Sequence, residues 1–291
     1  MKTSFSKTLM PSLVACAGCV VLNAQASAQH ADVSPYIQNS KIVTGAWQDG
    51  PGTFTPSART FGYDFGEDPL DPYFIADPGI NARPSNNAPV NFPSGASSLV
   101  PGATLRFDLK VVHTALGTPN SGNHTLLYWD GSDLNADVLI DESDVNFVAP
   151  PGNGSGLFES LRMNFGSKNA TAGVATGNVT GFVIDTAEIT PDPGEIHDHL
   201  NSFLNSFDNE VDPTDLVNAP EGIYLVQLTL GTNASGIAES EPIWFVFNNG
   251  LDEGVHDAAL DWVGSTVVPE PGVIGLLGIA IPMLLRRRRR A

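Results

Sequence analysis

The chain has 291 residues and carries 32 acidic residues against 14 basic ones, a formal net charge of −18 at pH 7. A surface of that sign repels nucleic acid and favours cations, so nucleic-acid binding is excluded as a function. The 29 glycines and 22 prolines are spread along the sequence. That composition is typical of many short strands joined by tight turns.

The first 28 residues have the pattern of a secretory signal peptide. Two lysines precede a mostly apolar stretch over residues 9–22, and Ala26-Ser27-Ala28 forms an A-x-A cleavage site. We therefore expect the mature chain to begin at Gln29. The alternative is a lipobox that ends at Cys16, in which case Cys16 would carry a lipid.

Removal of the two ends would change the chemistry of the chain. Both cysteines, Cys16 and Cys19, lie in the predicted signal peptide. Cleavage after Ala28 would therefore exclude disulfides, cysteine nucleophiles and cysteine-ligated zinc from the mature protein. Residues 29–268 keep seven of the 14 basic residues and 31 of the 32 acidic ones, a formal charge of about −24 that favours cations.

The sequence pattern of the exported part predicts a series of short strands. Residues 29–103 are polar and turn-rich, with a strand expected at 41–47 and a proline-rich extended loop at 75–102. Apolar and polar residues alternate most clearly in 104–114, 124–130, 181–189 and 223–230, and less clearly in 138–140, 146–148 and 161–165. The segments 104–114 and 124–130 are expected to pair as a hairpin. Residues 243–247 are apolar enough to be buried on both faces.

One helix follows the strands. Residues 252–263 have Asp252 as a candidate N-cap and an apolar stripe of Val255, Ala259 and Trp262. We therefore predict an all-β fold, an antiparallel β-sandwich with one short C-terminal helix, flanked by an N-terminal signal peptide and a C-terminal membrane helix. The expected domains are the signal peptide 1–28, a turn-rich β part 29–103, the sandwich core with the late helix 104–264, and a tail 265–291.

The segment from Glu195 to Leu200 holds the most informative pair of histidines. If it is extended, His197 and His199 project from one face, two residues apart, and Glu195 shares that face. Imidazole is a ligand for zinc and copper, and a closed site needs about four ligands. A divalent-metal site is one interpretation of this pair, and a solvated loop is the other.

A third ligand for that ion has to come from elsewhere in the chain. His124, on a predicted strand, is the first candidate, followed by His113 and His256. Each has a simpler interpretation. His113 and His124 suit hydrogen-bonded histidines of the core, and His256 suits the surface of the predicted helix.

An acidic stretch imitates a calcium loop. Asp133, Asn135 and Asp137 have the spacing of the first three ligands of an EF-hand, and Asp141 follows. The required glycine is missing, Asp144 replaces glutamate at the twelfth position, and no helices flank the loop. We expect either a looser calcium site in a sandwich loop or an exposed acidic turn.

Catalytic motifs are absent from the sequence. It contains no G-x-S-x-G elbow, H-E-x-x-H pair, P-loop or Rossmann fingerprint. Paired carboxylates with aromatic side chains nearby leave glycoside hydrolysis as a further alternative. The aromatics that could stack on sugars are Trp47, Tyr63, Tyr73, Tyr128 and Trp129. We expect a protein that is not an enzyme.

The C-terminal tail has three parts in a fixed order. The triplet Pro269, Glu270 and Pro271 precedes a 13-residue apolar run at 273–285, and the basic cluster consists of Arg286, Arg287, Arg288, Arg289 and Arg290. As a helix the run would span about 20 Å of a hydrocarbon core of about 30 Å. The arginines can extend that reach and would lie on the cytoplasmic side.

This tail resembles the PEP-CTERM sorting signal of Gram-negative bacteria. In that family an exosortase, a membrane protease, is thought to act near the triplet. The resemblance implies that the partners are the export machinery and an exosortase-type protease, with a transient anchor in the inner membrane. It also implies delivery to the cell envelope, the cell surface or the exopolysaccharide matrix.

A second similarity covers four short pieces of residues 104–263, at 127–131, 197–200, 222–225 and 247–251. These pieces are similar to secreted planctomycete-type PEP-CTERM proteins of unassigned role, and distantly to cyanobacterial PEP-CTERM proteins under zinc-repressor control. The similarity implies a metal-related role and favours the histidines as ligands.

Together these patterns predict an exported cell-surface or extracellular-matrix protein that binds a divalent metal, zinc or copper, through His197, His199 and His124. A structural or adhesive protein associated with exopolysaccharide, with acidic calcium-binding loops, is the second hypothesis. A carbohydrate-active enzyme is the third.

Overall fold

The computed structural model describes residues 28–50, 52–89, 91–135, 139–151, 161–174, 177–205 and 219–268. The predicted signal peptide up to residue 27 and the tail from Pro269 onward lie outside the described residues. Within those ranges, no helix has both the length and the apolar character needed to cross a membrane.

The described residues form 19 strands, two 3₁₀ turns (Ser85–Asn87 and Gly166–Lys168) and one α-helix, α1 (Glu253–Thr266). The strands are β1 (Ala28–Gln29), β2 (Asp32–Gln38), β3 (Lys41–Gln48), β4 (Thr53–Pro56), β5 (Thr60–Asp64), β6 (Phe74–Ile75), β7 (Gly79–Ala82), β8 (Ala96–Ser97), β9 (Thr104–Lys110), β10 (His113–Ala115), β11 (Thr118–Pro119), β12 (Leu126–Trp129), β13 (Arg162–Phe165), β14 (Ala170–Ala172), β15 (Val179–Thr186), β16 (Ile196–His199), β17 (Ser202–Asn205), β18 (Gly222–Thr232) and β19 (Ile243–Asn249).

Three sheets and a small hairpin contain these strands. Sheet A has the order β1-β5-β19-β18-β9-β15, with β12 also paired to β18. Sheet B has the order β16-β7-β2-β3-β4, with β8 paired to β2, and sheet C has the order β14-β13-β17-β6. The hairpin is β10-β11. Strands from residues 29–103 and from residues 104–264 share each of the three sheets.

One apolar core joins the three sheets. Its members include Val33 and Ile42 of sheet B, Phe165 of sheet C, and Phe61 and Phe245 of sheet A, all of them fully buried. Strand β19 is buried along its whole length, as predicted for residues 243–247. The prediction of an all-β fold with a single helix is therefore confirmed for the described residues.

Most strand pairs are antiparallel, as predicted, but the pairing is mixed. Strands β1 and β5, β5 and β19, and β2 and β7 run parallel. Parallel neighbours need a long connection between them. Between β5 and β19 that connection is the whole of residues 65–242, which no local pattern in the sequence reveals.

The predicted hairpin between residues 104–114 and 124–130 is also wrong. Strands β9 and β12 lie end to end on the same edge of β18, β9 against residues 227–232 and β12 against residues 223–226. The 11 residues of β18 are enough to pair with both strands. The residues between them leave the sheet and form the β10-β11 hairpin.

Sheet B contains the strands that the sequence pattern conceals. Strand β7 lies inside the predicted loop 75–102, and all four of its residues are buried. Prolines flank it at Pro78 and Pro84, outside the strand itself, where they do not interrupt the hydrogen bonds. Its partners β2 and β16 are distant in sequence, so the strand is stabilised by contacts that composition does not predict.

The helix α1 covers the outer face of sheet A. Leu260 and Val263 pack with Trp244 and Val246 in a second apolar cluster. Asp252 occupies the N-cap position, as predicted, without a hydrogen bond from its side chain to the helix. Gly62 on β5 permits the close approach, because a Cβ there would lie 3.0 Å from both His256 Nε2 and Leu260 Cδ1.

Candidate metal centre

Strand β16 places both histidines of the predicted pair on its outer side. Ile196 and Leu200 are buried in the core, and Asp198 pairs with the ammonium group of Lys168. Because side chains alternate along a strand, His197 and His199 project the other way. Their ring centroids lie 5.7 Å apart.

A carboxylate from another strand and one from a turn join His197. The ligand atoms of Asp32, Asp49 and His197 all lie within 4.8 Å of one another. Asp32 is the first residue of β2, Asp49 follows β3 in the turn to β4, and His197 lies on β16. We call this group the His197 site. Two carboxylates and one imidazole form a donor set that suits a divalent transition metal.

Neighbouring donors hold the two carboxylates in place. Asn81 Nδ2 donates to Asp32 Oδ2 at 3.1 Å, and the indole N–H of Trp47 donates to Asp49 Oδ1. The guanidinium of Arg83 lies 4.5 Å from the centroid of the Trp47 ring. Hydrogen bonds of this kind orient the ligating groups of metal sites.

A third carboxylate, Asp77, adds negative charge beside the His197 site. Burial is the largest influence and raises the pKa of Asp77; the charge of His199 opposes this, and the charges of Asp32 and Glu67 add to it. The pKa of Asp77 is consequently above its ordinary value. Gly79 makes the crowding possible, since a Cβ there would lie 2.0 Å from Asp32 Oδ1. A bound cation would relieve this repulsion.

The other predicted ligands lie elsewhere. Among the described residues, no group of three ligand atoms within 4.8 Å includes His124, His113 or His199. His199 Nδ1 contacts the backbone oxygen of Ala76. Burial lowers the pKa of His113 and of His124, both half-buried near β10. Glu195 belongs to a separate acidic group with Glu188 and Asp192.

His256 is placed very differently from the surface position that the helix pattern suggests. It is 0% exposed, so that interpretation is wrong: the first turns of α1 direct this side chain onto β5 and β19. Its Nε2 lies 3.1 Å from the backbone oxygen of Val246, and its Nδ1 lies 3.3 Å from Asp64 Oδ1. The ligand atoms of Asp64, Glu253 and His256 lie within 4.8 Å of one another. We call this group the His256 site.

Asp64 is held in its charged form at the His256 site. Burial has the largest influence and raises the pKa of Asp64, but it is outweighed by the adjacent imidazole of His256, by a hydrogen bond from Asn248 and by the charge of His30. The pKa of Asp64 is therefore below its ordinary value. The pKa of Asp64, within the His256 site, is thus lowered, whereas the pKa of Asp77, beside the His197 site, is raised.

The predicted calcium loop is organised by its own protein groups. Asp144 is fully buried, and its two carboxylate oxygens accept hydrogen bonds from the backbone N–H groups of Leu134, Asn135 and Asp141 at 3.0–3.2 Å. Asp137 lies outside the described residues. Neither Asp133 nor Asp141 belongs to a group of three histidine or carboxylate ligand atoms within 4.8 Å of one another among the described residues.

Three of the five aromatics that could stack on sugars are buried. Tyr63 and Trp129 are buried in the two core clusters. Tyr128 packs against Tyr224 with ring centroids 5.2 Å apart, and its hydroxyl donates to the backbone oxygen of Glu221. These three aromatics therefore contribute to the core.

Asp32, Asp49, Asp64 and Glu253 are the site residues that sequence reasoning missed. They come from strand ends, a turn and the first turn of a helix, and nothing in their local sequence marks them as ligands. The burial of His256, by contrast, is indicated by its position in the sequence. It stands three, four and seven residues before Ala259, Leu260 and Val263, which is the spacing of a buried helix face.

Comparison with protein-family models, curated proteins and solved structures finds no match to this chain. The chain is therefore placed in no family by these comparisons. The geometry of its own side chains is therefore the basis for proposing a function.

Proposed function

We propose that this chain is an exported, non-enzymatic protein of the cell envelope or extracellular matrix that binds a divalent transition metal at the His197 site. The observation that carries the proposal is the convergence of Asp32, Asp49 and His197, whose ligand atoms lie within 4.8 Å of one another. The formal charge of the exported part, about −24, would attract cations to that surface.

The donor set decides the class of metal. Calcium and magnesium prefer oxygen ligands, whereas an imidazole nitrogen beside carboxylates suits zinc or copper. The three protein groups leave a fourth coordination position. Water could occupy it, or the imidazole of His199 after a small displacement. His197 is exposed, so an ion bound there would remain in contact with solvent.

The proposed localisation of the protein depends on the sequences of its two ends. The signal-peptide pattern of residues 1–28 and the PEP-CTERM-like tail from Pro269 support export through the inner membrane and release by an exosortase-type protease. Replacement of Pro269 and Pro271 by alanine should abolish display at the cell surface, measured by fractionation and antibody labelling. Unchanged display would refute the sorting signal.

Zinc titration of the purified full chain against a chromophoric chelator tests the metal proposal. Relative to the wild type, His197→Ala and Asp49→Asn should each weaken zinc binding at this site by at least about 10–100-fold, the range known for loss of groups that merely support a ligand. His124→Ala is the matched control and should leave zinc affinity unchanged.

The outcomes separate the competing hypotheses. An equal loss in His124→Ala and His197→Ala would restore the ligand set expected from sequence and contradict the His197 site. Unchanged zinc binding in both His197→Ala and Asp49→Asn would refute the proposal.

A calcium-bridged matrix protein is the second candidate. The observation in its favour is the group of Glu188, Asp192 and Glu195, which offers only oxygen atoms within 4.8 Å of one another. Such a donor set suits calcium. Calcium binding that is lost in Glu188→Gln and unaffected by His197→Ala would support this alternative.

A further inference from the structure

The tautomer of His256 follows from its hydrogen bond to the backbone. Its Nε2 lies 3.1 Å from the carbonyl oxygen of Val246, and a carbonyl oxygen can only accept. Nε2 therefore carries a proton and donates it. The other ring nitrogen, Nδ1, faces Asp64 and makes no hydrogen bond, although the side chain is completely buried.

The distance between Nδ1 and Asp64 Oδ1 fits a metal ion better than a proton. The two atoms are 3.3 Å apart. A charge-assisted N–H···O bond is about 2.7–2.9 Å long, so a shared proton should draw them closer. Two ligands held about 2.0–2.1 Å from a tetrahedral zinc ion are about 3.3–3.4 Å apart. With neither a metal cation nor a proton between them, an imidazole lone pair would face a carboxylate lone pair.

The surrounding groups hold both ligands in position. Asn248 Nδ2 donates to Asp64 Oδ1 at 2.9 Å, and His30 Nε2 lies 2.9 Å from Asp64 Oδ2. The bond from His256 to a backbone carbonyl is the arrangement that metal-ligating histidines commonly make with their second nitrogen. Glu253, one turn earlier on α1, brings a further carboxylate oxygen within 4.8 Å of both ligand atoms.

We propose that Asp64, Glu253 and His256 bind a second divalent ion of the zinc class, separate from the His197 site. The ion fastens the first turn of α1 to β5 of sheet A. Three protein ligands fill three tetrahedral positions, and water fills the fourth. Because His256 is buried, this ion stabilises the fold, whereas an ion at the His197 site is open to solvent.

Zinc stoichiometry and thermal stability of the full chain test this proposal together. After removal of metal with EDTA, the wild type should take up two zinc ions, and its Tm should rise with zinc until both sites are saturated. Glu253→Gln, an exposed position that should fold normally, should take up one zinc ion and lose most of that rise. Asp257→Asn removes an exposed carboxylate from the same helix and should behave as the wild type.

The variants also separate this site from the His197 site. His197→Ala should still bind one zinc ion and keep most of the zinc-dependent rise in Tm. If Glu253→Gln and Asp257→Asn both bind as many ions as the wild type, His256 and Asp64 form only a protonated ion pair and the inference is overturned. Loss of an ion in Glu253→Gln alone, with His197→Ala unaffected, would refute the proposed function and leave this inference standing.

Discussion

The His197 site and the His256 site have the same donor set in two different environments. Each combines one imidazole with two carboxylates, but His197 and Asp49 are exposed at the edge of sheet B, whereas His256 is buried between α1 and sheet A. Burial and the bond to Val246 leave His256 a single orientation. Under the two proposals, an ion at the His197 site would exchange with solvent, whereas an ion at the His256 site would hold α1 against sheet A.

The neighbouring carboxyl groups respond in opposite directions. Asp64 has a lowered pKa, because His256, Asn248 and His30 together outweigh its burial. Asp77, beside the His197 site, has a raised pKa, because burial and nearby negative charge outweigh the help from His199. In the metal-free protein, Asp64 therefore contributes stability as a charged group, whereas the charge of Asp77 costs stability.

The largest expected effect is that of His256→Ala in the metal-free protein. The change removes the hydrogen bond from His256 to the carbonyl of Val246 and the imidazole that faces Asp64, and it opens a cavity against Gly62. We expect a loss of about 2–4 kcal/mol in the free energy of unfolding, which corresponds to about 5–15 °C in Tm. Urea denaturation and calorimetry measure it.

The control for His256→Ala is Asp257→Ala, an exposed change on the next residue of the same helix. It should alter the free energy of unfolding by no more than about 0.5 kcal/mol. Equal effects of the two changes would show that the buried contacts of His256 contribute no more to the free energy of unfolding than an exposed residue does.

A smaller effect is expected for Asp64→Asn, and it should depend on pH. The lowered pKa means that the stability from the charged carboxylate is fully present above the unfolded pKa of about 3.9, and is lost as the pH falls through the folded value below it. The variant should be about 1–3 kcal/mol less stable than the wild type at pH 6–7, and the gap should narrow below pH 4. Denaturant titrations over that range, in EDTA, measure the gap, and a constant gap would contradict the account.

Asp77→Asn should have the smallest effect and the opposite sign. The raised pKa means that folding favours the protonated form, so stability falls as the pH rises from the unfolded pKa through the folded one. The neutral variant should therefore gain up to about 1 kcal/mol at pH 7, or about 2–4 °C in Tm, and nothing near pH 3. Asp185→Asn, an exposed change on β15, is the control. A loss of stability in Asp77→Asn at pH 7 would refute this interpretation of the His197 site.

Much of the fold could be predicted because its strongest strands carry a local pattern. The alternation in 181–189 and 223–230 and the apolar run 243–247 correspond to β15, β18 and β19. Strand β7 and the parallel pairing of β5 with β19 could not be predicted, because their hydrogen bonds come from partners far away in sequence. The edge that β9 and β12 share on β18 is likewise set by the length of a later strand.

The sites were predictable only where the sequence brings ligands close together. The spacing of His197 and His199 placed both rings on one side of β16, but the carboxylates that meet His197 come from β2 and from the turn after β3. The predicted third ligand, His124, lies near β10 instead. His256 followed the apolar spacing of its helix, which indicates burial, while its polar character alone suggested the surface.

The most direct test of the two-site account is anomalous diffraction at the zinc edge from crystals of the chain grown with zinc. We expect one peak between His256 Nδ1 and Asp64 Oδ1, about 2.0–2.1 Å from each, and a second peak among Asp32, Asp49 and His197. Zinc bound only at other residues, or a His256–Asp64 pair drawn together to a hydrogen-bond distance without a peak, would contradict it.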